Sequence, residues 1–188
     1  MPFEIIFLIV EASSTILIAA CLLRFYLHLL KINFAPNSGN PFSKFLIPLS
    51  NWLITPIGKI IPFGGRIDVR SLLASYLLVL VKVLFLLEIS NAKYSGIQIP
   101  VLALFSLLEL ALSGLTGLLI VHVFFNWTQT RSPTQILFYE MVEPLLEPIR
   151  RLSPEISGID VSTFVLFLLI QAISLGLKSA QRALLTAS

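Results

Sequence analysis

Residues 3–30, 71–90, 97–127 and 161–180 are four stretches built mainly from Leu, Ile, Val, Phe and Ala. Each is long enough to carry a helix across a hydrocarbon core, which takes about 20 mostly apolar residues. The third has no formal charge from residue 110 to residue 130. The second is interrupted by Lys82, yet residues 71–87 hold twelve Leu, Val or Phe side chains. Those contribute roughly −0.3 to −0.6 kcal/mol each near the bilayer centre, against roughly +3 kcal/mol for one Lys. The apolar sum, about −4 to −7 kcal/mol, prevails and the segment inserts. Glu11 and Glu109 lie in longer stretches and are carried in the same way.

A soluble bundle is the alternative, and composition argues against it. Of 188 residues 12% are charged and 56% hydrophobic, where soluble domains carry about 25% charged residues. Four helices cannot bury their outward faces in so short a chain. The start carries Glu4 and Glu11 but no early Lys or Arg, so it reads as a retained membrane helix and not as a cleavable signal. The single Cys21 excludes an intrachain disulfide, and with His28 and His122 it makes no metal set. No cofactor is expected. A net charge of +3 is too small to argue for nucleic acid; anionic lipid headgroups are the expected counter-charge.

The chain repeats itself. "TPIGKIIPFGGRIDV" (residues 55–69) and "EPIRRLSPEISGIDV" (residues 147–161) share six identities at an offset of 92 without a gap. Pro41, Pro56, Ile57, Pro62 and Asp68 fall on Pro133, Pro148, Ile149, Pro154 and Asp160, and Lys59 meets Arg151. The expected fold is an all-α membrane protein with four transmembrane helices built as two tandem parallel repeats. Residues 1–96 give span, interfacial segment 42–61, span; residues 97–188 give span, interfacial segment 134–152, span. Two crossings per copy make both copies enter from the same side, related by an axis along the membrane normal.

In the first interfacial segment Phe42, Phe45, Leu46, Leu49, Trp52, Leu53, Ile57 and Ile60 draw a stripe at helical spacing. The second has Leu137, Phe138, Met141, Leu145, Ile149 and Leu152. Such helices suit the membrane interface, apolar face among acyl chains, with Trp52 and Leu53 as anchors and Lys59, Arg150 and Arg151 at the headgroups. Pro48, Pro56, Pro144 and Pro148 are expected to prevent one continuous rod, each favouring a kink or a fresh start. The Gly-containing turns that follow lead to Asp68 and Asp160, each placed to cap the next span; a ligand or ion site is the sharper alternative for these aspartates.

Eight basic residues (Lys31, Lys44, Lys59, Arg66, Arg70, Arg131, Arg150, Arg151) lie on the side of the repeated segments, against three (Lys93, Lys178, Arg182) opposite. The expected topology is therefore hairpins cytoplasmic and both termini periplasmic. The hairpins differ in charge: residues 31–70 carry five basic and one acidic residue, +4, and residues 128–160 carry three and five, −2.

Each span offers one strongly polar group at middling depth: Glu11, Lys82, Glu109 and Gln171. Ionisable groups at such depth are costly and are functional candidates. They either tie the bundle together or mark an ion route, and rise per residue permits a Glu11–Lys82 pair with Glu109 competing. Arg24 and His28 lie one turn apart near the cytoplasmic end, where Arg24 is expected to snorkel to headgroups. With six extra residues before Pro41 in the first copy, Glu11 aligns with Glu109 and Arg24 with His122.

The segments "NPFSKF" (residues 40–45), "TPIGKIIPFGGRID" (55–68), "NWTQTRSP" (126–133) and "EPLLEPIRRLSPEISGID" (143–160) resemble the bacterial YggT (YlmG) family of integral membrane proteins. The longer "NFAPNSGNP" joint and the "SPEIS" of residues 153–157 depart from the family pattern. The resemblance implies a multi-pass inner-membrane protein linked with osmotic or extracytoplasmic stress, ion homeostasis and cell-division gene neighbourhoods. Plastid relatives are associated with nucleoid organisation or cofactor assembly. It implies no catalytic residues. The sequence has no phosphate loop and no serine nucleophile elbow. The expected function is a non-enzymatic scaffold or assembly factor that binds lipid surface and other membrane proteins, with a second copy of the chain a further partner. An ion-conducting or ion-coupled protein is the alternative.

Overall fold

The computed structural model describes residues 2–33, 42–60, 68–90, 96–128, 132–152 and 161–186. Among these all the regular secondary structure is helical: α1 (Pro2–Leu29), α2 (Ser43–Ile60), α3 (Val69–Ser90), α4 (Gln98–Thr128), α5 (Pro133–Leu152) and α6 (Ser162–Thr186). Four helices contain stretches long and apolar enough to cross a membrane: Phe7–Leu29, Val69–Ile89, Gln98–Thr128 and Ser162–Leu185. Large apolar side chains stay exposed on all four, among them Leu8, Ile16, Val81, Phe85, Ile120, Phe124, Phe164 and Leu175. Surface of this kind calls for lipid as its solvent, and the chain is a membrane protein. Pro41, Pro62, Pro154 and Asp160 lie outside the described residues.

The chain divides into two compact units, Met1–Leu108 and Glu109–Ser188. The division falls inside α4, beyond the 96/97 boundary expected from the repeat. Its cause is local: the Tyr76 hydroxyl on α3 donates to the Pro100 carbonyl at 3.1 Å, and Ala103 and Leu107 are buried. The first turns of α4 thus side with the unit that precedes them.

In the first unit α1 and α3 pack along one another and α2 lies against both. Cys21, Ile54, Ile57 and Ala74, one or two from each helix, form the core there, with Leu53, Leu73 and Leu78 around them. In the second unit Leu119 of α4, Val142, Leu146 and Ile149 of α5, and Leu166 and Ile170 of α6 make the corresponding core. The buried residues Leu46, Ser50, Ile54 and Ile57 of α2 stand 92 positions before the buried Phe138, Val142, Leu146 and Ile149 of α5.

Both short helices run unbroken through their internal prolines, Pro48 and Pro56 in α2 and Pro144 and Pro148 in α5. No fresh start occurs at any of the four. A helix-interior proline orphans the carbonyl four residues earlier, here that of Lys44, Trp52, Glu140 or Pro144. All four prolines and all four of those residues are exposed, so each freed carbonyl lies on an outward face. The apolar stripe of α2 is also divided. Leu46 and Ile57 turn onto the protein while Phe45 and Trp52 are 62% and 59% exposed. Spacing tells which residues share a face, not what will cover it.

Helix ends are closed by local devices. At the end of α1 the Ile32 amide donates to the Leu27 carbonyl and the Lys31 amide to that of His28, both at 3.0 Å. This six-to-one, five-to-two pattern needs a left-handed residue, which is Lys31 at φ 58°. At the start of α5 the Gln135 amide donates to Ser132 Oγ at 3.2 Å, with Pro133 in the first helical position, where its missing N–H costs nothing.

Candidate functional site

Two polar groupings interrupt the apolar packing of the first unit. One joins all three helices near the start of α3. Asp68, immediately before that helix, accepts from the Ser71 amide at 3.3 Å and from Ser71 Oγ at 2.6 Å. It is an N-cap by geometry, since the first helical amides have no partner within the helix. Asp68 also faces Arg24, with Arg24 Nε 3.6 Å from Asp68 Oδ2 and both side chains largely buried. Arg24 Nη1 donates to Ser50 Oγ at 3.0 Å and to Asn51 Oδ1 at 2.7 Å. Ser50, fully buried, donates onward to the Leu46 carbonyl at 2.7 Å.

One guanidinium therefore ties α1 to the middle of α2 and to the cap of α3. Its planar fork of five donors suits such a junction better than an ammonium. Sequence reasoning placed Arg24 among the headgroups as a snorkelling side chain; the structure turns it inward. Beside it, Arg70 lies across α2 at Gly58, where an added Cβ would come 3.2 Å from Arg70 Nη1. Of the predicted interfacial set, Lys59 and Pro56 are exposed on α2, Trp52 is exposed, and Leu53 is half-buried against the Cys21 core.

The second grouping lies inside the spans. Lys82 Nζ on α3 donates to Thr15 Oγ1 on α1 at 2.9 Å and stands 3.7 Å from Glu11 Oε1. Thr15 Oγ1 in turn donates to the Glu11 carbonyl at 2.7 Å, a back-bond that spares its hydroxyl an unmet donor in lipid. The pair borders a cleft of about 190 Å³ between α1 and α3, walled by Phe7, Val10, Leu78, Val81, Phe85 and Leu86. Of the predicted intramembrane set, Glu11 and Lys82 thus meet. Glu109 and Gln171 belong to the second unit, the first half-buried on α4 and the second exposed on α6. Thr15 was absent from the expected set; a threonine one turn after Glu11 is the signal that could have found it.

The second unit has its own polar features. His122, buried on α4, meets Tyr139 of α5 edge-on, ring centroids 4.6 Å apart. The Tyr139 hydroxyl donates to Asn126 Oδ1 at 2.8 Å, and Gln135 Nε2 donates to the Phe125 carbonyl at 3.2 Å. These bonds dock the end of α4 on the start of α5. On the outer face of α5, Arg150 pairs with Glu143 and Arg151 with Glu147; Pro148 is exposed beside them. Among the described residues no group of His, Cys, Asp or Glu is arranged to hold a metal ion.

The family model described as CCB3/YggT matches residues 3–89 and 101–181. A Vibrio alginolyticus protein described as an uncharacterized protein in the proC 3' region is 35% identical over 157 residues, 82% of this chain and 83% of its own. The Escherichia coli K12 protein described as uncharacterized protein YggT is 35% identical over 150 residues, 77% of this chain and 76% of its own. An uncharacterized Pseudomonas aeruginosa protein is 30% identical over 171 residues, 89% and 85% of the two chains. No solved structure matches. Matches that cover both halves of the chain and most of each relative leave one conclusion: the chain belongs to the CCB3/YggT family.

Proposed function

We propose that this protein is a non-enzymatic scaffold or assembly factor of the bacterial inner membrane, built as two tandem copies of span, amphipathic interfacial helix and span. Its α2 and α5 lie on the cytoplasmic leaflet, both termini are periplasmic, and the two short helices hold anionic lipid surface and other membrane proteins. Its setting is the osmotic or extracytoplasmic stress response or envelope and division processes.

The observation that carries the reading is the outward surface of the two short helices. Each buries one face on its own spans and leaves the other open: Lys44, Phe45, Trp52 and Lys59 on α2, Glu140, Glu147, Arg150 and Arg151 on α5. A basic aromatic face suits anionic lipid. A face whose arginines are already paired with glutamates suits a protein partner more than a lipid sheet. Cysteines placed at Lys59 and Arg151 should react with an impermeant reagent from the same side of sealed vesicles. Crosslinkers on α5 should capture a discrete membrane protein. Labelling from opposite sides, or capture of lipid alone by both helices, removes the reading.

Ion coupling is a second reading, favoured by the Lys82–Glu11 approach within the spans and by Glu109. Cation flux in liposomes that falls with Glu109→Gln supports it; absence of flux removes it.

A further inference from the structure

The Lys82 ammonium is under-used. It has three N–H donors, and among the described residues it spends one, on Thr15 Oγ1 at 2.9 Å. Glu11 Oε1, at 3.7 Å, is beyond hydrogen-bond distance. The carboxylate is about half exposed and the lysine about a quarter, so both charges open into the cleft between α1 and α3. The rest of that cleft is apolar, with Phe7 and Val10 on one wall and Val81 and Phe85 on the other.

Depth matters as much as chemistry. Glu11 is four residues into the span Phe7–Leu29 and Lys82 seven residues from the end of the span Val69–Ile89, or about 6 and 10 Å at 1.5 Å per residue. The Glu11 side chain leans toward the helix start, hence toward the near headgroup layer. The pair is within reach of that layer, and the apolar walls run alongside it.

We propose that this cleft is a binding site for a bilayer phospholipid with a zwitterionic, primary-ammonium headgroup of the phosphoethanolamine kind. The lipid phosphate accepts from the two remaining Lys82 protons, the lipid ammonium donates to the Glu11 carboxylate, and an acyl chain lies along Val10, Val81 and Phe85. Charge complementarity selects the headgroup. The protein presents one positive and one negative group side by side, and so does this lipid with opposite order. An anionic headgroup satisfies Lys82 but meets Glu11 with like charge. A trimethylated headgroup has no N–H to give the carboxylate.

The test uses full-length protein in nanodiscs, with lipid retention after detergent extraction read by native mass spectrometry. Phosphatidylethanolamine should be retained about tenfold over phosphatidylcholine or phosphatidylglycerol of the same chains, the ratio for one well-made charged hydrogen bond. Glu11→Gln should remove the preference over phosphatidylcholine. Since Glu11→Gln also loosens α1 on α3, Val81→Trp serves as the second variant. It fills the cleft from an exposed position and leaves both charges in place, so it should lower retention without lowering the melting temperature in lipid-free detergent. Equal retention of the three lipids by wild type overturns the proposal, as does wild-type retention by both variants.

Discussion

Removing the charge of Asp68 while keeping its shape is the sharpest test of the polar junction. Asp68→Asn retains an oxygen for the Ser71 amide, 3.3 Å away, but gives up the attraction to Arg24 at 3.6 Å. The gross Coulomb energy there is about 5 kcal/mol at an effective dielectric of about 20. Desolvation offsets most of it, since both side chains are largely buried, leaving about 1–2 kcal/mol net. Asp68→Ala loses the cap as well, another ~1 kcal/mol, for about 2–3 kcal/mol in all. Arg24→Gln with Asp68→Asn completes a double-mutant cycle whose coupling should be about 1–2 kcal/mol. Equilibrium unfolding in mixed micelles, followed by far-ultraviolet circular dichroism, measures each difference. A coupling within the ~0.5 kcal/mol scatter of independent sites refutes the argument that Arg24 is held by Asp68. It would leave Arg24 held by Ser50 and Asn51 of α2 alone.

Lys31→Gly should stabilise the protein by about 1 kcal/mol in the same unfolding assay, because a left-handed residue with a Cβ is strained and glycine is not. Ser132→Ala removes the α5 cap and should cost about 1 kcal/mol, with faster amide exchange confined to the first turn of α5. Ile54→Ala and Leu146→Ala, at matched positions of α2 and α5, should each cost about 2–5 kcal/mol. Cysteines on each helix should then become accessible in their own unit; if either substitution is silent, that helix is not packed as described.

The four apolar stretches could be read directly from residue order, because hydropathy over about 20 residues is a sum that needs no partner. Capping by Asp68 was readable for a similar reason: the acceptor and the Ser71 amide are three residues apart, and helix geometry supplies the rest. The interior of α2 was harder. Phe45, Leu46, Trp52 and Ile57 all belong to one periodic stripe, yet Leu46 and Ile57 are buried while Phe45 and Trp52 are not. A stripe wider than one line of contact must be shared between neighbours, and the sequence does not say where the neighbours are. That α2 and α5 continue through their prolines is a matter of packing too, since only packing shows that each proline and the residue four before it are exposed.

By itself the order of residues determined where the chain can cross lipid, because burial in a bilayer depends on each segment alone. It determined also the 92-residue recurrence of the proline-containing motif and the cap at Asp68, both local facts of the chain. Only the tertiary structure decided that Arg24 turns to Asp68 forty-four positions away and that Lys82 chooses Thr15 over a full contact with Glu11. A guanidinium or ammonium has a long flexible stem and little sequence-local preference. Its partner is whichever acceptor the packing of other helices brings within about 4 Å in a medium that offers few others.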